Sequence, residues 1–330
     1  MNRRLLGAIA ALLLSPPIAA QAQEKAPDKL RYGQIAGSVK SVSSLALYTA
    51  QRKGFLARAN IELQLVSLPG VHHMIEGLDN NTVDVSHTAT PYLIEGVLRG
   101  SGTAAIVGGA ANTIFSMIAK PGIKSFGDLK GKMIAMSLPV DTISIASRLL
   151  LAKHGLKDTD YRTTELIGTP TRAKCLTGGE CDAVPLGQPD DIMFAAKGYS
   201  KLGDSQEVIP VLQFNVIAAR RDWAAQNKDA VVRLARAFGE AYRFMRDPRN
   251  RDEVTSILAE TTGAPPEVAQ QMLAFYYEPD RGVMPSQAEI SLLGVAKVIE
   301  LLGMTGALKA PLPAAERFVD LQYLKAAGLQ

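Results

Sequence analysis

The chain has 330 residues, 47% of them hydrophobic and 21% charged, with a formal net charge of +4. That is too mixed for a disordered chain and long enough for two compact domains. Basic residues are scattered and aromatics make up 6%, which excludes the electrostatic footprint and stacking platforms of a nucleic-acid binder.

The N-terminus runs Met1-Asn2-Arg3-Arg4, an apolar stretch from Leu5 to Leu14, Ser15-Pro16-Pro17, then Ala20-Gln21-Ala22. A basic start, a short apolar core and a small-x-small site read as a secretory signal, residues 1–22, cut to leave Gln23 at the mature end. The apolar stretch is about half the ~20 residues that a membrane span needs. No cysteine follows it directly to carry a lipid, and loss of Arg3 and Arg4 brings the formal charge from +4 to +2. A soluble periplasmic chain is expected.

Leu30, Tyr32 and Gln34 read as a first strand, ending in the small and hydroxyl-rich loop Ala36 to Ser41. Gly37, Ser38 and Ser41, with free backbone N–H groups at a helix start, suit an anion cradle; plain helix capping is the other reading. Helical spacing follows at Leu45, Leu47, Tyr48 and Ala50, with Gly54 as its stop, and Ile61 to Val66 reads as a second strand.

The next stretch is used twice. Gly70, Leu78, Asp84, Pro91, Ile94 and Gly100 recur at an offset of 98 positions as Gly168, Leu176, Asp182, Pro189, Ile192 and Gly198. Each copy predicts a helix, a short strand carrying the aspartate, a loop, and a helix led by proline at its first position. Duplication and shared α/β grammar both produce such matches, and both leave two α/β halves. The loops His87 to Thr90 and Pro185 to Gln188 then sit at strand C-terminal ends, where open α/β sheets bind ligands.

Between the copies, Thr103 to Val107 reads as a strand and Gly108 to Asn112 as a first hinge. Thr113 to Ala119 and Met133 to Leu138 read as strands, and Asp141 or Thr142 caps a helix from Ile143 to His154. Arg162 to Ile167 is a further strand. The glycines of Gly127 to Gly131 are too close for a phosphate loop, and Met133 stands where Ser or Thr is needed. Phe214 to Ala219 reads as a returning strand with a second hinge at Ala218 to Arg220. From Asp222 the pattern is helical, with breaks at Asp247-Pro248, Gly263 to Pro266, Glu278 to Pro285 and Ala310 to Pro313.

Catalytic and metal signatures are missing. There is no Gly-x-Ser-x-Gly elbow, dinucleotide fingerprint or His-Glu-x-x-His. His72 and His73 are adjacent and have no histidine three or four residues away, so no metal and no cofactor is expected. His72 reads either as a cleft residue or as a solvated surface group. Asp190 and Asp191 read as first-turn acids favoured by the helix dipole rather than as a carboxylate pair. Cys175 and Cys181 are the two cysteines; an oxidising compartment favours a disulfide, and two buried thiols are the other reading.

The stretches LALYTAQRKGFLARANIELQLV, MIEGLDNNTVDVSHTATP, GIKSFGDLKGKMIAMSLP, CLTGGECDAV with Pro189, and VIAARRDWAAQNKDAVVRLARAF resemble the periplasmic solute-binding proteins for sulfonates, taurine, nitrate and related anions. Yeast-type thiamine-pyrimidine synthases share that superfamily. The resemblance implies an α/β, two-lobed type II clamshell, each lobe a mixed sheet flanked by helices, with a helical C-terminal tail on lobe 1. Lobe 1 would be residues 23–112 and 219–330, and lobe 2 residues 113–218. It implies a non-enzymatic monomer that delivers a small-molecule ligand to an ABC permease in the inner membrane. The implied cleft residues are Gly37, Ser38, Ser41, Thr88, Thr90, Pro139, Asp141, Thr142, Gly187, Gln188 and Asn215. Asp141 departs from the small hydroxyl residue usual in such proteins, which points to an organic anion, a sulfonate or carboxylate with aromatic ones included, over an inorganic one. Other readings are a module presenting a pyrimidine or thiamine precursor or signalling to a membrane sensor, and, less well supported, a synthase, whose histidine- and cysteine-rich chemistry this chain lacks.

Overall fold

The computed structural model describes residues 26–112, 115–277 and 282–330. The expected signal segment, and Thr113 at the edge of the first expected hinge, lie outside the described residues. Among the described residues, ten strands form two five-stranded sheets. The first contains β1 (Asp28–Ile35), β2 (Ile61–Leu68), β3 (Val85–Ala89), β4 (Thr103–Gly108) and β10 (Asn215–Arg220), ordered β2-β1-β3-β10-β4. The second contains β5 (Phe115–Ala119), β6 (Met133–Met136), β7 (Arg162–Glu165), β8 (Ala183–Gly187) and β9 (Ser200–Asp204), ordered β7-β6-β8-β5-β9.

The two orders are one pattern. In each lobe three parallel strands are followed by an antiparallel fourth, β10 against β3 and β5 against β8. That fourth strand is the one the chain enters directly after changing sheets. The repeated unit accounts for the match: helix His73–Asp79, β3 and helix Thr90–Leu98 correspond to helix Thr169–Gly178, β8 and helix Asp190–Ala196. Each repeated aspartate stands just ahead of its strand and pins it to a neighbour. The Asp84 carboxylate accepts from the Arg31 N–H of β1 at 2.8 Å, and that of Asp182 from the Met133 N–H of β6 at 2.9 Å. Pro91 is the second residue of its helix, as its missing N–H permits, whereas Pro189 stands at the N-cap, just ahead of its own.

The lobes differ in how they fill their cores. The first has one large cluster, to which the tail helices Lys228–Arg246, Arg251–Thr262, Pro266–Tyr277 and Leu292–Met304 all contribute. The second has two small clusters, one on each sheet face, because successive strand residues point to opposite sides. Met117 and Ile134 go to one cluster, Ile118 and Ala135 to the other. Cys175 and Cys181 join in a disulfide, Cα–Cα 5.4 Å, within the second of these. The tail also touches the second lobe: Leu292–Met304 packs on helix Thr142–Lys153, whose Ile145 and Ala146 enter the first lobe's cluster.

The expected hinges need revision. All of β10 pairs with β3 and β4, so the chain has returned to the first sheet before Asn215, and the second crossing spans 205–214 rather than Ala218 to Arg220. The crossings run side by side, stitched by Phe214 N–H to the Ala110 carbonyl (3.1 Å), Ala110 N–H to Asn215 Oδ1 (2.7 Å) and Asn112 Nδ2 to the Pro210 carbonyl (2.8 Å). Gly108 and Gly109 are there for close approach. A Cβ on Gly109 would lie 1.9 Å from Asn215 Oδ1, and one on Gly108 1.9 Å from the Glu289 carbonyl oxygen.

Candidate ligand-binding site

Residues following β1 and β3 in one lobe, and β6 and β8 in the other, line a single cavity of about 1150 Å³, solvent at its mouth included. Ligands sit at such strand ends because helix starts and free backbone groups converge there. Of the candidates, Gly37, Ser38, Ser41, Thr88, Asp141, Gln188 and Asn215 line this outer chamber. Gly187 lines an adjoining chamber of about 720 Å³, open solvent included, which is the inner one because it lies on the side of the crossings at Ala110, Asn112 and Phe214, and which shares Ser41 and Gln188 with the first.

Three candidates are not brought to it. Pro139 is exposed in the turn before Asp141. Thr90 and Thr142 are each 1% exposed, line neither chamber, and have hydroxyls without a hydrogen-bond partner. The reason is helical geometry. Each residue turns a side chain by about 100°, so where Thr90 and Thr142 pack inward, Tyr92, Asp141 and Ile143 face the cavity.

Asp141 stands at the N-cap position of its helix. Its Oδ2 accepts from Ser137 Oγ at 2.6 Å and from the Tyr92 hydroxyl at 3.5 Å, the latter a bond between lobes. Burial raises the pKa of this carboxyl above the usual carboxylate range, with the Ser137 bond and the Arg172 charge opposing the shift. Arg172 is 0% exposed yet forms part of the cavity wall. Its Nε donates to the Pro185 carbonyl at 2.7 Å, and its terminal nitrogens to the Leu166 carbonyl at 3.1 Å and Thr169 Oγ1 at 3.3 Å. Desolvation pushes its pKa down to about 10, with Asp141 opposing, so it stays charged at neutral pH. Of five guanidinium N–H groups, these bonds use three and leave two.

Arg172 is the main residue that sequence reasoning missed. The signal was present: Arg172, Cys175 and Leu176 are the buried residues of their helix, so an arginine occupies the apolar face, where a charge is costly without partners. Phe115 and Phe214, one beside each crossing, were also missed as site residues. Their rings meet edge to face at 6.1 Å and wall both chambers. His87 joins the outer chamber; burial lowers its pKa, offset in part by a hydrogen bond with Asn215. His72 is exposed, stacks edge-on against Tyr92 at 5.1 Å and lines neither chamber. Asp190 and Asp191 open their helix as expected, but Asp190 also lines the outer chamber, and Asp191 accepts from Ser116 Oγ at 2.7 Å. Among the described residues no group of His, Cys, Asp or Glu is placed to hold a metal.

Residues 41–250 match the model of the NMT1/THI5 like family. The chain belongs to that family. An Escherichia coli (strain K12) relative named for aliphatic sulfonate binding is 25% identical over 298 residues, covering 88% of this chain and 89% of that one. The NMT1/THI5 like fold recurs in solved structures. The nitrate-binding protein NrtA of Synechocystis PCC 6803 superposes with a TM-score of 0.74 at 16% identity, covering 92% of this chain and 88% of that one. The alkanesulfonate-binding protein SsuA of Xanthomonas axonopodis pv. citri, bound to MOPS, gives 0.68 at 21%, covering 89% and 98%. All three are named as binding proteins. The desulfurization enzyme DSZB, at 0.67 and 18% identity over 91% of this chain and 98% of that one, has the same fold, so fold alone does not decide function.

Proposed function

We propose that this chain is the periplasmic substrate-binding component of an ABC importer, taking a small organic anion, a sulfonate or carboxylate, into the cleft between its lobes. The observation that carries this reading is Arg172, a buried guanidinium in the wall of a cavity lined from both lobes, with two N–H groups left to donate. Charge-assisted hydrogen bonds of that kind are about twice as strong as neutral ones and fit planar or tetrahedral oxyanions. The paired crossings supply the hinge about which the lobes close. The loaded monomer then presents both lobes to its permease. The sulfonate named for the relative and the nitrate named for the structural neighbour agree with an anionic ligand.

A thermal-shift screen of sulfonates, carboxylates and pyrimidines tests this. A ligand at 100 times its Kd stabilises by ~2.7 kcal/mol, and small-angle scattering with the same ligand should show a smaller radius of gyration. Stabilisation by pyrimidines alone would replace the organic anion with the heterocycle reading, and an unchanged radius would remove hinge closure.

A further inference from the structure

Gln188 follows β8 directly, in the turn after it, and stands in the wall common to both chambers. It is 7% exposed, and neither its Oε1 nor its Nε2 has a hydrogen-bond partner. A buried amide with both ends unsatisfied bears its desolvation cost uncompensated, so the site is built to be completed by something else. The chambers on its two sides differ in kind. Lys40, Asp141, Arg172 and Asp190 all line the outer one, whereas the described residues of the inner one include no charged side chain and several rings, among them Phe115, Phe214, Tyr242 and Tyr276. A ligand that reaches from one to the other has its charged end outside, its uncharged body inside, and its middle against Gln188.

We infer that the ligand is an organic acid with a lactam-like group, a donor and an acceptor side by side on one edge, between its anionic end and an aromatic or bulky apolar body, and that Gln188 is the residue that reads this group. The reading rests on the organic-anion function proposed above. Gln188 Oε1 accepts from the ligand N–H, and Gln188 Nε2 donates to the ligand carbonyl or ring nitrogen. A site made to pair with polar atoms rejects an analogue lacking them much more strongly than an apolar pocket rejects a lost methylene.

Three probes of equal length separate these terms in titration calorimetry on the full mature chain: 2-oxo-6-phenyl-1,2-dihydropyridine-3-carboxylate, a pyridone with N–H and C=O on one edge, its 2-pyranone analogue, in which ring O replaces N–H, and biphenyl-4-carboxylate, which lacks the carbonyl as well. The expected order of affinity follows that sequence, with at least a tenfold span across the set. In Gln188→Leu the span should collapse to within twofold. In Gln188→Glu, which keeps the shape and an acceptor, the pyridone should still exceed the pyranone while the advantage of the carbonyl is lost. Equal binding of the three acids by the wild type, or a span that survives in Gln188→Leu, would overturn the role of Gln188 and leave the organic-anion reading standing. Failure of all three to bind, with simple sulfonates and carboxylates binding, overturns the lactam-acid class alone. If no organic acid binds, both readings fall. Should Gln188→Leu not fold, the wild-type ladder and Gln188→Glu still decide.

Discussion

In the first lobe the repeated unit brings Thr88 and Ala89 to the cleft at the end of β3, while in the second it brings Gly187 and Gln188 at the end of β8, with Arg172 and Asp190 on the helices either side. The frame is common down to the aspartate that pins each strand. The chemistry is not. The first copy contributes hydroxyl, imidazole and ring groups, and the second contributes Arg172, Asp190 and the unpaired amide. The cores differ in the same direction, one large cluster against two small ones. The lobe that carries the demanding chemistry has the less apolar burial to support it, and the disulfide and the Arg172 bonds tie its second unit together.

The sharpest way to break this comparison is Arg172→Met. Leaving a buried acceptor without its donor costs about 1–3 kcal/mol per group, and here the Pro185 and Leu166 carbonyls both lose theirs. Urea unfolding should show a loss of that size, with the second lobe melting first and ligand affinity abolished. A loss under about 1 kcal/mol would mean that the second lobe does not depend on Arg172.

How much of this could be read from residue order depends on what kind of regularity each feature leaves. The two α/β halves were legible because Leu78, Asp84 and Pro91 return as Leu176, Asp182 and Pro189 at one offset, and because strand ends locate clefts. Seven of the proposed cleft residues line the outer chamber for that reason. Thr90 and Thr142 do not, since a helix start determines where backbone N–H groups point and leaves the side-chain direction to packing. The second crossing was misplaced because Asn215 to Arg220 is equally apolar on either side of a hinge; only its pairing with β3 and β4 says which sheet owns it. Arg172 was overlooked because arginine is counted as surface unless its periodicity with Cys175 and Leu176 is checked.

A smaller effect separates two acids of the second unit. Asp182 has its pKa lowered: desolvation opposes this, but the bonds from Met133 and Lys120 outweigh it. Asp191 has its pKa raised, chiefly by burial, against the Ser116 bond. A lowered folded pKa gives stability that is present above the unfolded value and lost as pH falls through the folded one. A raised folded pKa gives stability that is full below the unfolded value and lost as pH rises through the folded one. Asp191→Asn should therefore gain on the wild type as pH is taken from 4 to 7. Denaturation curves at the two values test it, and a constant difference would show that Asp191 keeps the same protonation state throughout.

The smallest expected effect compares the two helix starts directly. If closeness to a helix N-terminus decided the contacts, Thr90 and Thr142 would each donate to the anion, and a valine at either position would cost about 1.5–3 kcal/mol of binding. The structure buries both hydroxyls without a partner, and a buried hydroxyl that bonds to nothing carries its desolvation cost uncompensated. Valine is close in shape and lacks that cost. Thr90→Val and Thr142→Val should accordingly leave affinity for the screened ligand within twofold and hold or raise stability, by less than about 1 kcal/mol each. Calorimetry and unfolding of the two variants measure both quantities. A tenfold loss of affinity in either would show that ligand binding draws these hydroxyls into the cleft, and would make the helix start, rather than the side chains flanking it, the feature that selects the anion.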